Sequence, residues 1–173
     1  MLTDSSLNHI KFWIDNLTQV NGKQFTSDLS CQSIMHSDAS NTGYGGYIVE
    51  TPTNIAHGMW SEYESSKSST WKELTAVKHI ILSMVNILKD KRIKWFTDNQ
   101  NVVSIVAKGS MKLEIDDITL CIFKNCVQHN AFIDVEWVPR TSNDESDYVS
   151  RIIDSGDWGV FYELFVFEVP VGT

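Results

Sequence analysis

Four carboxylates fall at the ends of predicted secondary-structure elements, and together they could hold a hard metal ion. Asp38 closes the run Gln32 to Asp38, in which Ile34, His36 and Asp38 share one strand face. It leads into Ala39-Ser40-Asn41-Thr42-Gly43-Tyr44-Gly45-Gly46, where glycines let backbone or a sugar-phosphate approach without a Cβ in the way. Glu73 heads the series Glu73–Val77–Ile80–Met84, spaced four, three and four, so its carboxylate lies on the face turned toward a sheet. Asp98 follows the apolar run Ile93 to Thr97, at the carboxyl end of a strand, where open α/β sheets collect ligands. Asp147 falls in the first turns of a late helix. Each acid also has a purely structural use. Thr70 and Glu73 fit a capping box, Asp147 suits a helix N-terminus, and Asp38 and Asp98 suit strand-end turns. As a set they ask for more, because four acids meeting at one end of a sheet repel one another unless a cation neutralises them. Oxygen ligands of this kind select Mg²⁺ or Mn²⁺ rather than zinc.

The elements that must position these acids can be read from periodicity. Leu7, Ile10, Trp13, Ile14 and Leu17 predict an amphipathic helix over 5–19, closed by Asn21-Gly22. Gln32–Asp38, Tyr44–Val49 and Ile55–Trp60 predict three strands in a meander, the last two joined through Pro52 and Asn54. A polar loop at 65–69 precedes a helix of about five turns carrying Leu74, Val77, Ile80, Ile81, Met84, Val85 and Leu88. Strand Ile93–Thr97, a helix over 99–107 broken at Lys108-Gly109, and a helix over 113–127 follow. That last helix is expected to set Leu113, Asp117, Leu120, Phe123 and Val127 on one side. Strand Phe132–Val138, stopped by Pro139, and a helix over 143–152 complete the order β-β-β-α-β-α-α-β-α. A meander followed by strands alternating with helices implies an α/β fold with a mixed sheet.

Composition narrows the class. The 173 residues suit one domain, and 19 aromatics with 42% hydrophobic residues exclude a disordered chain. No apolar run reaches the ~18 residues of a membrane span, and no membrane partner is expected. Cys31, Cys121 and Cys126 form no CxxC or Cys/His cluster, and the N-terminal residues lack the pattern of a signal peptide. These features predict an intracellular setting, cytoplasmic or nuclear. The net charge of −8 argues against nucleic acid until its distribution is read. Residues 67–112 carry nine Lys or Arg against Glu73, Asp90 and Asp98, a local +6, and the remainder carries −14. One basic face, with Lys72, Lys108 and Lys112 as phosphate contacts, is the expectation.

Four segments carry a family resemblance. Asp38-Ala-Ser-Asn-Thr-Gly-Tyr-Gly-Gly, Ser68-Ser-Thr-Trp-Lys-Glu-Leu-Thr-Ala, Phe96-Thr-Asp-Asn-Gln and Val138-Pro-Arg-Thr-Ser-Asn-Asp-Glu-Ser-Asp-Tyr-Val-Ser-Arg resemble the ribonuclease H domain of retrotransposon reverse transcriptases. The wording is most similar to DIRS-type elements, with gypsy-type relatives next. The resemblance implies a five-stranded mixed sheet, three antiparallel strands then two parallel, flanked by helices. It implies a connector helix and linker over 1–30 leading from an upstream polymerase domain, a ribonuclease H-like domain over 31–158, and a tail over 159–173. It also implies a type 1 ribonuclease H that cuts the RNA strand of an RNA–DNA hybrid, leaving a 3′-hydroxyl and a 5′-phosphate. Asp38, Glu73, Asp98 and Asp147 would hold two Mg²⁺ or Mn²⁺ ions and carry catalysis. Ser40, Asn41, Thr70, Asn99, Gln100 and Arg140 would contact substrate, Thr70 and Gln100 reading the minor groove and 2′-hydroxyls.

The chain departs from cellular relatives in two places. No histidine stands between Pro139 and Asp147, Arg140 being the nearest polar substitute, and no basic protrusion separates Gly109 from the helix at Leu113. Weak hybrid binding by the domain alone is the expectation. Transposases and integrases on this fold place a glutamate last, and proofreading exonucleases need Asp-x-Glu on the first strand, so residue order excludes both. A decayed or domesticated nucleic-acid-binding or structural module on the same fold stays open.

Overall fold

A computed structural model describes residues 4–21 and 31–153; the linker over 22–30 and the tail over 159–173 lie outside the described residues. Strands β1 (Ser33–Ala39), β2 (Gly43–Ile48) and β3 (Thr51–Met59) form the expected antiparallel meander. Strands β4 (Arg92–Thr97) and β5 (Phe132–Trp137) add parallel to β1, giving one mixed sheet in the order β3-β2-β1-β4-β5. The parallel additions require crossovers, which the helices supply. These are α1 (Asp4–Asn21), α2 (Glu62–Ser65), α3 (Ser69–Ser83), α4 (Val85–Leu88), α5 (Gln100–Lys108), α6 (Leu113–Gln128) and α7 (Asp144–Ser150).

The core lies between the sheet and α3, α5 and α6. Met35, Leu74, Val77, Ile80, Ile93, Trp95 and Val102 have no measurable exposure. Each large apolar side chain so buried stabilises the fold by about 1.5–3 kcal/mol. Trp95 keeps its indole N–H satisfied at depth by donating to Ser37 Oγ at 2.8 Å. Two neighbouring glycines let helices press on both faces of β2. A Cβ on Gly46 would lie 2.6 Å from Ile80 Cδ1 of α3, and one on Gly45 would lie 2.5 Å from Ser150 N of α7.

Several expectations are corrected by packing. The meander turn falls at Val49-Glu50, so Pro52 lies inside β3, an edge strand where a missing N–H leaves no central ladder bond unmade. The stretch before α3 contains one helical turn, α2, opened by a capping box between Ser61 and Glu64. The long central helix breaks at Met84, whose φ of −107° leaves the helical range, so α4 is a separate turn. In α6 the expected Leu120 is buried, but Ile115, Ile118, Ile122 and Cys126 make up most of the buried face and Leu113 is exposed. The stripe of α1 also points away from the core. Phe12 is buried, Trp13 meets Phe123 of α6, and Leu7, Ile10, Ile14 and Leu17 are exposed.

Candidate functional site

Asp38 ends β1 opposite Gly45, buried against α7, and Ser150 Oγ donates to its Oδ2 at 2.8 Å. Glu73 occupies the first turns of α3. That helix is capped by Ser68, whose Oγ accepts the N–H of Trp71, so the expected Thr70–Glu73 box is not what starts it. Glu73 is thereby free to point at the sheet, and it is 5% exposed. Asp98 follows β4, its backbone carbonyl accepting the Trp137 indole N–H at 3.0 Å. One ligand atom from each of Asp38, Glu73 and Asp98 lies within 4.8 Å of the others. Three elements distant in sequence thus deliver three carboxylates to one point.

Electrostatics there are unfavourable without a counter-charge. Burial pushes the Asp38 carboxyl above its ordinary value, and the charges of Asp98 and Asp147 add to that, against the Ser150 hydrogen bond. Burial, then Asp38 and Asp98, push Glu73 up to about 9. Its Oε2 is buried with no hydrogen-bond partner. An orphaned carboxylate oxygen among three acids fits a divalent cation with a preference for hard oxygen donors, Mg²⁺ or Mn²⁺.

Asp147 is handled differently. Arg151 grips it with Nε at 2.9 Å and Nη2 at 2.8 Å, and Arg140 Nη2 adds a contact at 3.2 Å. Arg151 and then Arg140 hold its carboxyl below the ordinary aspartate value, so it stays ionised. The structure brings three of the four acids together and gives the fourth to two arginines.

The expected substrate contacts divide in the same way. Ser40 Oγ donates to the Ser150 carbonyl at 2.7 Å and accepts the amide N–H of Thr42 and Gly43, shaping the loop after β1. Asn41 at its tip is exposed, and the loop with Arg140, Asp147 and Arg151 lines a cleft of about 310 Å³. Asn99 Oδ1 caps α5 by accepting the N–H groups of Asn101 and Val102, leaving Gln100 exposed beside it. Thr70 Oγ1 accepts from Asn101 Nδ2 at 3.2 Å on the wall of a second cleft, about 650 Å³, which Lys67, Ser68, Ser110 and Lys112 also line. Thr70 precedes Glu73 by three residues on α3, so one helix contributes both to this cleft and to the acids. Of the expected basic contacts, Lys112 lines the cleft and Lys108 is exposed, whereas Lys72 is buried at 6% exposure and lies off that surface. Of the tryptophans, Trp71 and Trp95 belong to the core and Trp137 is half exposed. His36 is held by Asn143 at 3.1 Å and stacks on Tyr47, a satisfied structural residue.

Sequence reading missed Lys67, Asn143, Ser150 and Arg151. The Asp147–Arg151 pair was legible as an i,i+4 spacing on a helix. Ser150 had no sequence signal, because its partner is 112 residues away.

The comparisons agree on architecture. No family model matches the chain, and no curated protein matches it by sequence. Solved structures do match. Ribonuclease H1 from the archaeon Halobacterium salinarum superposes with a TM-score of 0.55 at 17% identity, over 68% of this chain and 93% of that one. The N-terminal ribonuclease H domain of a Mycobacterium tuberculosis protein gives 0.56 at 17% identity, over 70% and 91%. This is the ribonuclease H fold. A foamy viral protease–reverse transcriptase in complex with an RNA/DNA hybrid also matches, at 0.51 and 13% identity, over 69% of this chain and 19% of that one. On this fold Asp38 and Asp98 lie at the carboxyl ends of β1 and β4, two strands that adjoin in the sheet, and Glu73 of α3 meets them there.

Proposed function

We propose that this chain is a metal-dependent endonuclease that hydrolyses the RNA strand of an RNA–DNA hybrid, working as the ribonuclease H domain of a retroelement reverse transcriptase. The observation that carries the reading is the triad Asp38, Glu73 and Asp98, within 4.8 Å on the ribonuclease H fold, with Glu73 Oε2 buried and unpartnered. In this reading the three acids hold one divalent cation, and Asp147, kept ionised by its arginines, completes the ligand set for a second. Mg²⁺ or Mn²⁺ bound there would activate water and steady the leaving oxygen.

The remaining roles belong to the chain's own side chains. The cleft of Lys67, Ser68, Thr70, Ser110 and Lys112 offers ammonium and hydroxyl donors suited to a backbone phosphate. The exposed Asn41, Gln100 and Arg140 surround the acids with donors and acceptors for ribose hydroxyls and phosphates. Ser40 and Asn99 shape the loop and the helix start that present these groups. A local +6 inside a chain of −8 gives weak, salt-sensitive binding, consistent with a polymerase domain upstream in a polyprotein supplying most of the grip. An intracellular setting follows from that role.

The test is cleavage of an end-labelled hybrid in Mg²⁺ and in EDTA, alongside Asp98→Asn. The reading expects cutting of the RNA strand alone, only with the metal, and none by the variant. Equal cleavage by parent and variant, or none by the parent in either Mg²⁺ or Mn²⁺, overturns it in favour of a non-catalytic module.

A further inference from the structure

The seven residues of α7 lie across β1 and β2, closer than a helix usually approaches a sheet. Gly43 and Gly45 make this possible. A Cβ on Gly45 would stand 2.5 Å from Ser150 N and from Val149 C, and one on Gly43 would stand 3.2 Å from the Ser150 carbonyl oxygen. Three hydrogen bonds fix the helix at that distance. Asn143 Nδ2 donates to the Ser37 carbonyl at 3.0 Å, Ser40 Oγ donates to the Ser150 carbonyl at 2.7 Å, and Ser150 Oγ donates to Asp38 Oδ2 at 2.8 Å. The close seat delivers the last contact, since a serine hydroxyl reaches only a short way beyond its own backbone.

Ser150 Oγ lies equally near the Asp147 carbonyl, also at 2.8 Å. A hydroxyl has one proton, and a carboxylate is the stronger acceptor, so Asp38 takes it. Asp38 is crowded by Asp98 and Glu73, and a carboxylate there with no donor would rotate away from its neighbours. The serine opposes that rotation. It also draws some charge from the oxygen it binds, which weakens that oxygen as a ligand. In a site built from buried like charges, the fixed orientation outweighs this loss, as outer partners of metal-binding carboxylates generally strengthen binding.

We propose that Ser150 is a positioning residue, whose hydroxyl sets the orientation of the Asp38 carboxylate and thereby the affinity of the acidic site for a divalent cation. The proposal rests on the metal-binding reading of that site and names a residue that reading leaves out. Ser150 also ties the first acid to the helix that carries the last, one of the three hydrogen bonds that seat α7.

The experiment is a Mn²⁺ titration of the full chain, followed by calorimetry and by the electron paramagnetic resonance signal of free Mn²⁺. Ser150→Ala is compared with Ser146→Ala, which removes another buried hydroxyl of α7 bonded only to the Asn143 carbonyl. Ser150→Ala should bind Mn²⁺ about tenfold more weakly, and Ser146→Ala should bind like the parent. With hybrid as substrate, Ser150→Ala should lose kcat at unchanged KM and regain it at high Mn²⁺. Ser150→Cys, which keeps the volume with a weaker donor, should fall between parent and Ala; it carries the test if Ser150→Ala does not fold. Parental affinity in Ser150→Ala or Ser150→Cys, or an equal loss in Ser146→Ala, overturns the proposal. A parent that binds no Mn²⁺ overturns the metal-binding reading itself.

Discussion

Glu73→Gln should make the metal-free protein more stable while removing its response to Mg²⁺. The side chain is 5% exposed and its carboxyl is pushed up to about 9 by burial and by Asp38 and Asp98. A raised folded-state pKa contributes stability that is present below the unfolded value of 4.5 and is lost as pH rises toward about 9. The loss is about 1.4 kcal/mol per pH unit, so by pH 7 it amounts to about 3 kcal/mol. Glutamine keeps the volume and an acceptor oxygen but cannot ionise. Urea denaturation in EDTA at about pH 5 and about pH 8 measures the effect, since both proteins share every other titrating group. The variant should gain on the parent by about 3–4 kcal/mol between those two conditions. Adding Mg²⁺ should reverse the order, because the cation takes the ionised carboxylates and stabilises only the parent. A stability gap that is the same at both pH values would refute the reasoning, since Glu73 would then titrate as an ordinary surface acid.

Three other outcomes follow from the geometry. Asp98→Asn should abolish cleavage of the hybrid and leave the unfolding free energy from urea denaturation within about 1 kcal/mol of the parent, an ordinary cost for a partly exposed polar change; retained cleavage would sink the role given to the triad. Gly45→Ala should cost about 1–3 kcal/mol by overpacking, because its Cβ meets the backbone of Val149 and Ser150 at 2.5 Å; parental stability would mean that α7 does not sit on β2 as described. Lys67→Gln with Lys112→Gln should flatten the log–log salt dependence of hybrid binding by about 1.4–1.8, at about 0.7–0.9 per phosphate contact. An unchanged slope would leave neither lysine a phosphate contact, Lys67 serving its ion pair with Glu114 and its stacking on Tyr63.

Much of the fold was legible because most of its elements are amphipathic in the simple sense. In β4 the alternation of Ile93, Trp95 and Thr97 matches a strand with one face in the core, and all three are fully buried. The failures come where tertiary packing overrides a local stripe. In α6 the residues Leu113, Leu120, Phe123 and Val127 form a plausible apolar line, and Leu120 is buried and Phe123 packs on the core, yet Ile115, Ile118 and Ile122 fill its centre and Leu113 is left in solvent. Both lines have helical spacing, and only the neighbouring α3 decides between them. The α1 stripe failed for the same reason, since Trp13 meets Phe123 of α6 while Leu7 and Ile14 stay exposed. The basic segment was legible in charge and only partly in position. Lys72 counts toward the +6 but lies buried on α3, while Lys67, outside the expected set, lines the cleft.

The acids show how far residue type carries and where geometry takes over. Asp38, Glu73 and Asp98 could be placed from strand ends and a helix face, and repulsion alone then required a counter-charge. The same logic applied to Asp147 expects a fourth member of one crowded cluster. Folding treats it otherwise, because a fourth buried carboxylate would add to the repulsion that already raises Asp38 and Glu73. Two guanidiniums remove that penalty locally, and they come from the residues that flank it, Arg151 one turn on and Arg140 in the preceding loop. Asp147 therefore remains ionised and close to the site without burial among the other three. A cation that recruits it must compete with Arg151, whereas one that binds the triad displaces no arginine hydrogen-bonded to it. The two halves of the acidic site should accordingly differ in strength, the triad filling first and Asp147 joining at higher Mn²⁺, with Arg151→Gln drawing the two steps together in the titration.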